Sequence, residues 1–110
     1  MGMQKNNKAV YVVDGARTPF LKARGVRGEF SAADLAVYAG REVLSRQPFS
    51  PGTIDEVIMG CMSPSEDEAN IARIISMRLG CGKETPAWTV QRNCASGLQS
   101  IDCAMKDIVM

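Results

Sequence analysis

PAWTVQRNCASGLQSIDCAMKDI, residues 86–108, changes its hydrophobic period part-way along. Pro86-Ala87-Trp88-Thr89-Val90 is a short run with aromatic and β-branched members, which predicts an extended strand. Beyond it Leu98, Ile101, Met105 and Ile108 recur at helical intervals, which predicts a helix that begins just past Cys94. A strand feeding directly into a helix is the unit from which parallel sheets are built, so the upstream sequence is read for further copies of it.

Val57-Ile58-Met59-Gly60-Cys61-Met62 is a continuous apolar run between Asp55-Glu56 and Ser63-Pro64, the form of a strand covered on both faces. Ile71, Ile74, Ile75 and Leu79 mark a helix after it, with Gly80 where a C-terminal glycine belongs. Before it, Ser31-Ala32-Ala33-Asp34 has the spacing of a capping box. Leu35, Tyr38, Ala39 and Val43 then give that helix its apolar stripe, and Gln47-Pro48 and Pro51-Gly52 stop it. Ala9-Val10-Tyr11-Val12-Val13, closed by Asp14-Gly15, predicts a first buried strand, and the glycine-containing stretch from Arg17 to Phe30 predicts a loop. The expected order is β-α-β-α-β-α, an α/β fold with a mainly parallel sheet. Residues 1–8 read as a disordered leader and 9–110 as one incomplete domain, because the last helical pattern runs to Met110 without a capping glycine.

Composition narrows the function. With 110 residues, 45% apolar and 23% charged, the chain can bury one small core. A net charge of +1 offers no field that would attract nucleic acid or an anionic membrane, and neither partner is expected. The longest apolar run, Ala9 to Val13, is far short of the about 20 residues a membrane helix needs. Histidine is absent, which removes His-ligated metal sites and Ser-His or Cys-His pairs made within this chain. Cys61, Cys81, Cys94 and Cys103 contain no CxxC pair, and with no secretory signal the thiols are expected reduced, in the cytoplasm, with no metal and no cofactor.

The chemistry concentrates at Arg92-Asn93-Cys94-Ala95-Ser96-Gly97. Unpaired amides and the helix dipole at a strand-to-helix junction stabilise an anion, a thiolate included, and small neighbours leave room for a carbonyl carbon to approach. That placement suits acyl transfer by Cys94; its structural alternative is a cysteine that merely fills space. Cys103 reads as packing and Cys61 as buried, while Cys81, between Gly80 and Gly82, is expected to be the most accessible thiol. Arg17 is expected to hold loop carboxylates, and Glu66-Asp67-Glu68 to cap the second helix rather than bind metal. Met62 and Met105 read as core. Gly82-Lys83 is no phosphate loop, since Glu84 and Met77 occupy the positions that need Ser or Thr and Gly.

Four segments carry a resemblance. Gly15-Ala16-Arg17-Thr18-Pro19-Phe20, Asp55-Glu56-Val57-Ile58-Met59-Gly60, Asn70-Ile71-Ala72-Arg73 and Asn93-Cys94-Ala95-Ser96-Gly97-Leu98-Gln99 are similar, in order, to the motifs of thiolases, the acetyl-CoA acyltransferases of fatty acid metabolism. The resemblance runs from about Ala9 to the last residue and implies the N-terminal part of a thiolase-like α/β fold. It implies that Cys94 takes an acyl group from acyl-CoA as a thioester, for cleavage of 3-ketoacyl-CoA or for Claisen condensation of acetyl-CoA. It further implies coenzyme A thioesters as substrates and a homodimer or homotetramer of the parent. The family's GHP histidine, CxGGG cysteine and asparagine segment come from later regions and are not in this sequence, so no turnover is expected from this chain alone. The last helix, by the same resemblance, lies between two halves of the parent and would expose its apolar face in isolation. Two other readings stay open: a stand-alone α/β binding domain with a structural Cys94, and a ketoacyl-synthase-type condensing enzyme, whose opening does not resemble GARTPF.

Overall fold

The computed structural model describes residues 8–110; positions 1–7, most of the expected leader, lie outside the described residues. Helix α1 (Ala32–Ser45) leads through a 3₁₀ turn at Pro51–Thr53 to strand β1 (Val57–Gly60). A second 3₁₀ turn, Glu66–Glu68, precedes α2 (Ile71–Arg78), and β2 (Ala87–Val90) and α3 (Ser96–Val109) complete the order. The two strands pair in parallel, Val57 beside Ala87 and Gly60 beside Val90. The α/β class and the parallel pairing expected from the sequence are both present.

Each helix end has a local cause. Ser31 caps α1: its hydroxyl accepts from the Asp34 amide at 3.1 Å, and the Asp34 carboxylate accepts from the Ser31 amide at 2.9 Å. A third acceptor arrives from elsewhere, the buried Glu68 carboxylate on the Ala33 amide at 3.1 Å. The acidic cluster therefore caps a helix as expected, but α1 rather than α2, because the 3₁₀ turn aims Glu68 across the core. At the other end of α2, Gly80 has φ +82 and donates to the Met77 carbonyl at 3.2 Å, while Cys81 donates to Ser76 at 3.1 Å. This paired closure requires the left-handed residue that glycine supplies.

The core lies between α1 and α2, where Ala33, Val37, Ile71 and Ile75 are buried together. The stripe expected on α1 is displaced: Tyr38 is exposed and packs edge-on against Phe30, with ring centroids 5.9 Å apart. The face that meets α2 is the small one. At Gly40 an added Cβ would stand 2.8 Å from a Leu79 methyl, so close helix approach selects Ala and Gly over the larger residues that dominate a hydrophobicity pattern.

The expected first strand is corrected. Ala9 to Val13 pairs with no strand among the described residues, and Tyr11, Val12 and Val13 are 78%, 84% and 79% exposed. An apolar run becomes a buried strand only where a neighbour supplies both a hydrogen-bonding edge and a covering face. What ties this segment down sits at its end instead. The Asp14 carboxylate accepts from Gln47 Nε2 at 2.8 Å and pairs with Arg46 at 3.4 Å, both at the C-terminal end of α1.

Replacing Ser31 by Ala is expected to lower stability by about 0.5–2 kcal/mol, read as a lower urea midpoint. Asp34 adds a pH signature. Its carboxyl is held below the ordinary carboxylate range, first by the Ser31 amide and then by Arg78. A depressed folded value stabilises above the unfolded pKa and ceases to as pH falls through the folded one. The difference in Tm between wild type and Asp34→Asn should thus be constant near neutrality and close below about pH 4.

Candidate active site

The C-terminal ends of the parallel strands carry the site. The Cys61 amide donates to the Val90 carbonyl at 3.1 Å, extending the pairing one residue beyond β1, and the chain then turns sharply from β2 into α3. Within that turn Ala95 donates to Arg92 at 2.9 Å and Ser96 to Asn93 at 3.2 Å. Asn93 has φ +47, and it is the one non-glycine residue with positive φ among the described residues. Asparagine tolerates this region better than most side chains. Its amide is met by Gln91 Oε1 at 3.0 Å.

Cys94 follows directly and is exposed. Ala95 is the N-cap of α3 and its side chain caps nothing, so the amides of Gly97 and Leu98 meet no acceptor among the described residues. These open N–H groups belong to the positive end of a fourteen-residue helix that starts two residues after Cys94. Two charged groups at and along α3 have partners. Arg92 donates to Gln99 at 2.7 Å, and Lys106 pairs with Asp102 at 2.7 Å, the hydrogen bond that chiefly holds the Asp102 carboxyl below its usual range. A cleft of about 460 Å³ beside the turn is lined by Arg92, Ala95, Leu98, Gln99 and Met105.

The other thiols separate clearly. Cys61 and Cys103 are half-buried. Cys81 is only 3% exposed, which corrects the expectation that it would be the most accessible: the glycine-closed turn after α2 aims it inward, and Thr85 caps its carbonyl at 2.8 Å. Arg17 holds no carboxylate; it donates to the Thr18 carbonyl at 3.1 Å and lies 4.9 Å over the Phe20 ring, while Arg46 takes the loop's Asp14. Met62 and Met105 are exposed rather than core. So is the apolar face of α3, with Leu98 72% and Ile101 56% exposed. Among the described residues no group of three His, Cys, Asp or Glu side chains could hold a metal ion. The sequence pattern presents Ser96 only as a small neighbour of Cys94 and Gly60 only as part of a strand run, although a glycine closing an apolar run was a signal of close backbone approach.

Comparison with known proteins gives a consistent result. The family described as Thiolase, N-terminal domain, matches residues 10–110. The human mitochondrial 3-ketoacyl-CoA thiolase is 44% identical over 95 residues, 86% of this chain and 24% of that protein. The Bacillus subtilis 3-ketoacyl-CoA thiolase is 39% identical over 105 residues, 94% of this chain and 27% of that protein. A crystal structure of the human mitochondrial enzyme in complex with CoA superposes with a TM-score of 0.69 at 43% identity, covering 74% of this chain and 21% of that one. The chain thus spans about a quarter of the length of the curated relatives it matches.

Alkylation should follow the observed exposures. With limiting iodoacetamide and peptide mass mapping, Cys94 is expected to react first, Cys103 and Cys61 more slowly, and Cys81 last unless the protein is unfolded. Reaction of Cys81 ahead of Cys94 in native conditions would contradict the turn geometry.

Proposed function

This chain belongs to the thiolase family, as part of its N-terminal domain, and from that membership we propose that it supplies the nucleophile of an acyl-CoA acyltransferase. The observation that carries the proposal is an exposed cysteine on the turn into α3, two residues before a helix whose first amides have no acceptor, at the C-terminal end of a parallel strand pair. Ligands of open α/β sheets sit at that end.

The Cys94 thiolate attacks the carbonyl carbon of an acyl-CoA. The oxygen takes up the negative charge, and the open amides are donors of the kind that stabilise it. The C–S bond to coenzyme A breaks, the CoA thiolate departs and takes up a proton, and the acyl group remains on Cys94 as a thioester. In the degradative direction the thiolate attacks the 3-keto carbon of a 3-ketoacyl-CoA instead, the C2–C3 bond breaks, the acetyl-CoA enolate departs and takes up a proton, and the acyl group left on Cys94 passes to the sulfur of free CoA; in the synthetic direction the enolate of a second acetyl-CoA attacks the acyl carbon and the Cys94 thiolate departs. Forming that enolate needs a base, and with no histidine in 110 residues the base is assigned to the remainder of the parent enzyme. Coenzyme A thioesters are the proposed substrates, in keeping with the CoA bound by the human relative. A homodimer or homotetramer of the parent is proposed with them, supported by the uncovered apolar face of α3.

Incubation with acetyl-CoA is expected to leave one acetyl group on the Cys94 peptide, removable by hydroxylamine and absent in Cys94→Ala. An unmodified Cys94, or equal acetylation of Cys61 and Cys103, would favour a binding domain with a structural cysteine. Faster transfer from a carrier-protein thioester than from acetyl-CoA would favour a ketoacyl-synthase-type enzyme.

A further inference from the structure

Two residues outside the proposed reacting group meet the backbone that carries it. Gly60 ends β1, and a Cβ built on it would overlap the Ser96 carbonyl group and stand 2.6 Å from the Gly97 amide nitrogen. Every one of those neighbours is backbone, so no side-chain rearrangement relieves the contact. The first turn of α3 rests on the bare Cα of the strand. Ser96, 4% exposed, occupies the same contact from the helix side. Its hydroxyl accepts from the Arg92 amide at 2.8 Å and donates to the Asn93 carbonyl at 2.7 Å, closing the loop that contains Cys94. The closure holds Asn93 at its positive φ, a conformation that persists only where the surroundings enforce it.

We propose that Gly60 and Ser96 are positioning residues for Cys94: Gly60 lets the α3 backbone settle onto the strand end, and the Ser96 hydroxyl locks the turn so that the sulfur stays beside the open amides. The inference rests on Cys94 being the nucleophile only for its consequence in acyl transfer. Reactivity of Cys94 toward a simple alkylating agent tests it separately. Neither residue touches the substrate in this scheme; both act through the backbone that carries the sulfur.

The test compares wild type, Ser96→Ala, Ser96→Thr and Gly60→Ala in the full chain. The readouts are the rate of Cys94 alkylation by iodoacetamide relative to Cys103 in the same molecules, the rate of acetylation by acetyl-CoA, and the urea midpoint. A misplaced reacting group can cost about a hundredfold, so Ser96→Ala is expected to slow both reactions of Cys94 by about ten- to a hundredfold while Cys103 keeps its rate. Ser96→Thr, which keeps the hydroxyl, should recover most of the loss. Gly60→Ala should slow Cys94 at least as much; should that variant fail to fold, the serine pair decides alone. Ser96→Ala that is folded and alkylates Cys94 at the wild-type rate overturns the proposal, as does a Thr variant that is folded yet no faster than Ala. The two readings fail differently. Acetylation absent from wild type together with slowed alkylation in Ser96→Ala removes the nucleophile reading and leaves the positioning one; normal acetylation in every variant does the reverse.

Discussion

Parallel strands cannot be joined by a tight turn, so β1 and β2 depend on the crossover that α2 provides, and the rest of the structure depends on how that crossover is fastened. The fastening is a small polar relay. Asn70 Nδ2 donates to the Ala87 carbonyl at 3.1 Å, the Thr89 hydroxyl donates to Asn70 Oδ1 at 2.8 Å, and the same hydroxyl accepts from the Ala72 amide at 3.1 Å. One helix-start amide is thereby satisfied by a strand side chain, and the helix is set in register with the strand. Arg73 repeats the idea, reaching the carbonyls of Lys83 and Thr85 at 3.2 Å each. With α2 held, Ala72 and Ser76 lie fully against the sheet, and β2 delivers its C-terminal end to the place where Cys94 is presented.

Features set by neighbouring residues were legible in the sequence. The Ser31–Asp34 box and the Gly80 closure are decided within a few positions, and both form as read. The start of α3 just past Cys94 is of the same kind. Features set by distant partners were not. Nothing near Glu68 announces that its carboxylate reaches the first turn of α1, and nothing in Ala9 to Val13 tells whether an edge awaits that run. The inward aim of Cys81 follows from the rotation of a whole turn, which flanking glycines permit but do not direct. On α1 the pattern followed the bulky residues, whereas the closest contact selected the small ones. At the site, the exposed cysteine before α3 was legible as a candidate from its chemistry, while the seat of that helix on Gly60 involves two backbones that meet across 36 sequence positions.

Under the proposed function, the chemistry at the turn is divided between this chain and the rest of its parent. The described residues at the turn supply amides without an acceptor, while Arg92 is occupied by Gln99 and, further along α3, Lys106 by Asp102. The sequence holds no histidine, so under that proposal the base comes from the rest of the parent. Preorganised donors are usually the largest contribution to catalysis, and here the backbone provides them without any side chain having to move.

The buried thiol of Cys81 has a use of its own. It belongs to the residue whose amide closes the end of α2, so it can meet solvent only when that closure comes apart. Its modification by a small reagent therefore clocks the opening of the α2 closure, in the same way that amide exchange reports local unfolding. A single sample would yield two timetables, the surface sulfur recording chemistry and the interior one recording how often the fold breathes.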